Sequence, residues 1–143
     1  MKLGVFEIFA AAAKEKSAVK KANILKENEH PVLWQILKYT FDDKVEFLLP
    51  GGSPPFNAVD LTGGQAENLL YSKGRILELF RKKTNRDNLT PLKREMKFIE
   101  LLEQIHPSDS QIIIDMINKK APKGITKNVV DKAFPGLLAQ RVS

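Results

Sequence analysis

Apolar residues recur at intervals of three and four through most of this chain, and that period leaves room for little except helices. The breaks between apolar stripes carry helix punctuation. Thr126 has the form of an N-cap and Thr90-Pro91 that of a cap with its first helical residue, while Ser17 begins a segment and Pro31 stands where a helix begins. The spacing predicts a first helix with Leu3, Phe6, Phe9, Ala10 and Ala13 on one face, and a second from Ser17 to about Asn28 with Val19, Ala22, Ile24 and Leu25 inward. A third, over 32–40, turns Val32, Leu33, Ile36 and Leu37 to the core; Trp34, in the same apolar segment, is read as core rather than as a base-stacking platform. Asp42 and Asp43 are placed to cap a short helix through Leu48.

Beyond a Pro/Gly-rich loop over 49–64, a helix from about Gln65 or Ser72 to Lys83 offers Ile76, Leu77 and Phe80, and another runs from Thr90 to about Ile105. Ser108-x-x-Gln111 has the form of a capping box ahead of Ile112, Ile113, Ile114, Met116 and Ile117; only Ile112–Ile114 is β-prone, and the capped segment outweighs it. Thr126 starts a last helix that stops before Pro135-Gly136. The expected fold is all-α, a compact bundle of about seven or eight helices in one domain over 1–143, with halves at about 1–48 and 65–138. His30-Pro31 and His106-Pro107 echo one another, with Ile36-Leu37 and Ile112-Ile113 at the same offset, which suggests a pseudo-repeat.

Charge narrows the partner. The net charge is +6 and the isoelectric point about 9.5. Residues 1–80 hold ten Lys/Arg against ten Asp/Glu, whereas residues 81–143 hold thirteen against seven, so the second half carries the whole excess. This asymmetry points to a polyanion, nucleic acid before membrane. With no cysteine, the chain has no disulfide, zinc–thiolate or iron–sulfur chemistry, which fits a reducing, cytoplasmic setting. The N-terminus starts like a signal peptide, but Glu7 interrupts its apolar run, and no stretch approaches the roughly eighteen apolar residues of a membrane span.

Within the basic half, the segment from Lys119 and Lys120 through Ala121-Pro122-Lys123-Gly124-Ile125-Thr126 to Lys127 crowds four lysines around a turn that opens a helix. Gly124 would let the chain approach a ligand, and the helix start at Thr126 would offer unpaired N–H groups to a phosphate. The plainer reading is a capped connection with a solvated basic face. A second cluster, Arg81, Lys82, Lys83 and Arg86, ends a predicted helix, where the dipole favours cations without any ligand. The lysines of the neutral half, Lys14, Lys16, Lys20 and Lys21, carry no site expectation.

A catalytic set is hard to assemble. Both histidines precede prolines and read as turn residues; Asp42 and Asp43 are adjacent and read as caps rather than metal ligands. The pairs Gly51-Gly52 and Gly63-Gly64 lack the GK[ST] ending of a phosphate-cradling loop. The expectation is no enzyme, no metal and no cofactor.

The stretch LKREMKFIELLEQIHPSDSQIIIDMI, the basic turn NKKAPKGI and the capped helix TKNVVDKAFPGLL resemble the end of the N-terminal helical DNA-binding domain of ATP-dependent DNA ligases, closest to the compact form of tailed-bacteriophage ligases. The opening FEIFAAAAKEKSAVKKANILKENEHPVLWQILKYTF is similar to that domain's first part. No K-x-D-G motif of the ligase catalytic domain occurs. The resemblance therefore implies a freestanding, non-catalytic module that holds the backbone of double-stranded DNA, nicked DNA included, with little sequence readout. At matching positions it implies contacts by Lys119, Lys120, Lys123, Gly124, Thr126 and Lys127. Ala121-Pro122 departs from the family's turn, and the proline removes one N–H donor there. The alternative is an adaptor that uses the same fold to bind a replication or transcription component such as a polymerase, through the apolar loop around Phe56; an enzyme subunit or virion component is the third class.

Overall fold

The computed structural model describes residues 3–50, 52, 54–57, 69–82 and 89–138. Among them lie seven α-helices and no strand: α1 (Val5–Lys14), α2 (Ala18–Glu27), α3 (Pro31–Phe41), α4 (Gly74–Glu78), α5 (Pro91–Gln104), α6 (Pro107–Ile117) and α7 (Lys127–Ala133), with a 3-10 turn over Leu69–Ser72. The chain is all-α, as the periodicity predicts.

The expected caps explain most helix starts. Ser17, Thr90 and Thr126 each accept, through the side-chain oxygen, the backbone N–H three residues on, at 3.2–3.3 Å. Pro31, Pro91 and Pro107 occupy the first turns of α3, α5 and α6. The two histidines have a more specific job than turn-filling. His30 Nδ1 accepts the Val32 N–H at 3.1 Å and His106 Nδ1 the Ser108 N–H at 3.0 Å, so each ring is the N-cap of the helix that its proline opens. The cap of α6 is therefore His106 rather than Ser108, and Gln111 donates to Asp115 instead of closing a capping box.

α6 lies in the middle of the fold, packed on α3, α5 and α1, while α2 packs between α1 and α7. The core joins Ile8 of α1, Leu25 of α2, Leu33, Ile36 and Leu37 of α3, Leu77 and Phe80, Phe98 and Leu101 of α5, Ile113 of α6 and Val130 of α7. α1 departs from the expected phase. Its buried stripe is Val5, Ile8, Phe9 and Ala12, in steps of three, one and three, while Ala10 is exposed and Leu3, Phe6 and Ala13 are half-buried. Val19 is exposed, and Ile24 and Ile76 are half-buried.

No helix forms over 42–48. Asp42 ends α3, its carboxylate accepts the Lys44 N–H at 2.9 Å, and the following residues run extended beside 80–82. Leu48 N–H donates to Phe80 O at 2.8 Å and Lys82 N–H to Glu46 O at 2.6 Å. The helix predicted to reach Lys83 shortens to α4 because its chain turns into this pairing; residues 58–68 and 83–88, with Gln65, Lys83 and Arg86, lie outside the described residues.

Candidate nucleic-acid interface

The segment 119–127 splits into a structural half and an exposed half. Lys119 takes the left-handed conformation, φ 60°, just past the end of α6. Its N–H bonds Met116 O at 3.0 Å and the Lys120 N–H bonds Asp115 O at 2.7 Å, the paired closure that usually uses glycine at this position. A lysine there is strained by about 1 kcal/mol or more. What holds it is its own side chain. Lys119 Nζ donates to Tyr39 O and to Asp42 O at the end of α3, where the helix dipole is negative, and lies 5.2 Å from the centre of the Phe47 ring. Burial of that ammonium pulls its pKa below the ordinary lysine value, against the Asp42, Asp43 and Glu46 charges that raise it. Lys119 is thus a clamp between α6 and α3.

Gly124 also serves packing. It has φ 77°, and a Cβ placed on it would lie 3.1 Å from Ala13 Cα and 3.2 Å from Lys21 Nζ. The close approach is to α1, and the Gly124 carbonyl accepts from Lys21 Nζ at 2.8 Å. Thr126 caps α7, whose seven residues make only two turns, so the start of that helix is satisfied locally. Lys119, Lys120, Lys123 and Lys127 are all exposed residues, and Lys119 differs in having its ammonium held by the Tyr39 and Asp42 carbonyls.

Those contacts bring the two ends of the chain together. Ala13 and Lys21 bracket the α1–α2 turn, so this turn, which carries Lys14, Lys16 and Lys20, is held against Gly124, about a hundred residues away in a sequence stretch that carries Lys120, Lys123 and Lys127. Lys14, Lys16 and Lys20 are exposed and Lys21 half-buried; Glu15 and Asp131 are the carboxylates closest along the chain. The neutral half therefore contributes four lysines to this face and the basic turn three. Sequence reasoning passed over them because Glu7, Glu15, Glu27 and Glu29 balance them in any count along the chain. The turn lysines around Ser17 were the signal that could have found them.

Of the second cluster, Arg81 and Lys82 are described and both have other contacts, while Lys83 and Arg86 lie outside the described residues. Arg81 pairs its backbone with Phe47 and sets its guanidinium 6.0 Å from the centre of the Tyr39 ring, and Lys82 lies 3.5 Å from the Glu46 carboxylate on an exposed surface. Two further cations are internal fasteners. Lys38 Nζ donates to Leu137 O and Leu138 O at 3.1 Å and pairs with Asp42 at 2.9 Å, tying the chain after α7 to α3. Arg94, buried in α5, donates to Leu79 O and Leu89 O. Burial pushes the Asp42 carboxyl up, but the Lys44 N–H and the Lys38 ammonium outweigh it and hold it below the usual range.

Trp34 is not core. It is 36% exposed on the outer side of α3 and meets Phe134 edge-on at 6.3 Å. Leu49, Pro50, Pro54, Pro55, Phe98 and Ile99 line a separate hollow of about 270 Å³, with Leu92 and Met96 exposed on helix α5, which also carries Phe98 and Ile99. Phe56, the expected centre of an apolar patch, is half-buried against the core. No group of three or more His, Asp or Glu residues suited to a metal occurs among the described residues, and no described helix is long and apolar enough to cross a membrane.

Residues 8–123 match the Family of unknown function (DUF6433). The chain belongs to that family. The span shared with DUF6433 runs from within α1 to Lys123 and so takes in the α1–α2 turn and most of the basic turn. No curated protein and no solved structure matches the chain.

Proposed function

We propose that this DUF6433 protein is a non-catalytic module that grips the backbone of duplex DNA, with little sequence readout, through the lysine face formed by the α1–α2 turn and the 120–127 turn. One observation carries the reading: two lysine-rich turns from opposite ends of the chain are held against each other by the Lys21–Gly124 hydrogen bond and the Gly124–Ala13 contact. Like charges brought together repel, and a polyanion that releases its counterions relieves that repulsion. Lysine ammoniums are point charges that neutralise phosphates without reading base edges, which fits backbone binding. The resemblance to a ligase DNA-binding domain points the same way and rests on the same turn.

The test is a titration of labelled duplex, nicked and single-stranded DNA at several salt concentrations. Binding near micromolar that weakens steeply with salt is expected, with a slope of about −0.9 per phosphate neutralised. Replacing Lys20, Lys123 and Lys127 by Gln should lower affinity at least tenfold and flatten the slope, whereas the same change at the exposed Lys44, after α3, and Lys93 and Lys97, on α5, should not. Equal losses in both variants would reduce the site to net charge. No binding near 50 mM salt, a condition in which phosphate contacts are strong, would favour the adaptor reading. The hollow beside α5 with Leu92 and Met96 exposed is the apolar surface that reading would use.

A further inference from the structure

α2 and α7 run side by side in the same direction. Near their starts Lys21 meets Gly124; at their ends Lys26, Glu29, Ala133 and Phe134 line one groove with Trp34. That groove is open to solvent along one side and offers about 380 Å³, within the roughly 300–1,000 Å³ of sites for small organic ligands. From Lys20 to Lys26 the rise along α2 is about 9 Å, roughly the axial rise of three nucleotides of one duplex strand at ~3.4 Å each. A strand whose backbone lies on the lysine face thus reaches the groove within a few nucleotides.

The lining selects what can enter. Phe134 meets the indole at 75°, so no aromatic ring lies flat on Trp34 among the described residues, and the indole is 36% exposed. A planar ring can stack there. Glu29 at the rim disfavours a phosphate but can accept a hydrogen bond from a base amine, while Lys26 can donate to a base carbonyl. The walls otherwise come from Ala133, Phe134, Pro135 and Leu137, which suit the faces and edges of a heterocycle rather than a charged group. Unpaired bases stack on aromatic side chains in single-strand sites flanked by basic grooves, whatever their sequence.

We infer that the Trp34 groove takes an unpaired nucleobase, so that the protein holds a strand by its phosphates at the lysine face and by a base at Trp34. The site rests on the DNA-binding reading and adds to it a preference for single-stranded, frayed or gapped DNA over intact duplex.

Trp34 is the sole tryptophan, so its emission reports directly on the groove. The experiment follows label anisotropy and tryptophan emission together while the full chain is titrated with a short oligothymidylate, an abasic strand of the same length and a blunt duplex at low salt. All three should bind by anisotropy, but only the oligothymidylate should quench Trp34. Trp34→Leu should weaken oligothymidylate binding by about fivefold to a hundredfold, the range that stacking of one base supplies, and leave the abasic strand and the duplex unchanged. Trp34→Phe, which keeps a stacking ring and the contact with Phe134, should restore most of the affinity, and thermal melts of each variant separate binding from folding. Binding of all three DNAs with identical emission changes would overturn the groove assignment and leave the lysine face intact. Absence of binding to any of them would overturn both.

Discussion

Asp109→Asn removes a charge that the fold holds at a cost, and the cost has a pH signature. Asp109 stands in the first turn of α6 and is 1% exposed. Its Oδ1 accepts the Phe6 N–H at 2.9 Å, in the first turn of α1, where the helix dipole favours an anion. Its Oδ2 is buried with no hydrogen-bond partner among the described residues. Burial pushes the carboxyl from the ordinary 3.8 up to about 6; the Phe6 N–H and the neighbouring His106 oppose the rise, and the Glu7 charge adds to it. The folded chain therefore binds this proton more tightly than the unfolded chain does. The resulting stability is fully present below about pH 3.8 and is lost as pH rises through about 6. A shift of about two units corresponds to ~3 kcal/mol.

The variant keeps the Oδ1 acceptor for Phe6 and cannot titrate. It also buries an amide NH2 where Oδ2 had no partner, and that group costs about 1–3 kcal/mol if it finds no acceptor. This cost does not change with pH. The variant can thus be less stable than the parent at pH 4, yet the difference between the two must move by about 3 kcal/mol in the variant's favour by pH 7 or 8. Urea denaturation followed by circular dichroism at several pH values measures it. Profiles that stay parallel across that range would mean that Asp109 is solvated or paired, and the account of its burial would be wrong.

The same logic separates packing from binding in the basic turn. Gly124→Ala adds a Cβ 3.1 Å from the Ala13 backbone at φ 77°, so we expect a loss of ~2 kcal/mol by denaturant midpoint; an unchanged midpoint would show that the α1 contact is loose. Lys119→Met removes the donor to Tyr39 O and Asp42 O and should lower stability by ~1–2 kcal/mol. Lys123→Gln should leave stability within about 0.5 kcal/mol and weaken DNA binding; equal stability losses in the two would erase the distinction between clamp and contact.

That distinction also marks where the sequence was readable and where it was not. Helix starts were legible because a cap is local: Ser17, Thr90 and Thr126 act on N–H groups three residues away. The phase of α1 was not, because Phe6 and Ala10 are as apolar as Ile8 and Ala12, and the choice belongs to the helices it packs against, α2 and α6. Residues 42–48 failed for the same reason: their partner, the stretch 80–82, is about 34 residues away, as Phe47 and Arg81 are. Lysines follow the same rule more sharply. An ammonium seeks carbonyls, and helix ends present them in numbers, so a lysine's task is set by which helix end the fold delivers to it. The end of α3 claims Lys38 and Lys119, and the Gly124 carbonyl claims Lys21. Lys119 looked like the first residue of a binding turn and is a fastener, while Lys14, Lys16 and Lys20, hidden in a neutral average, stand exposed beside that turn. Deleting the Lys21–Gly124 bond by Lys21→Met is therefore the sharpest probe of the lysine face. If the two turns form one surface, this single change should weaken DNA binding by more than Lys16→Met, which removes the same charge without touching the hinge between them. Equal effects would mean that the turns act independently and that their meeting serves only the fold.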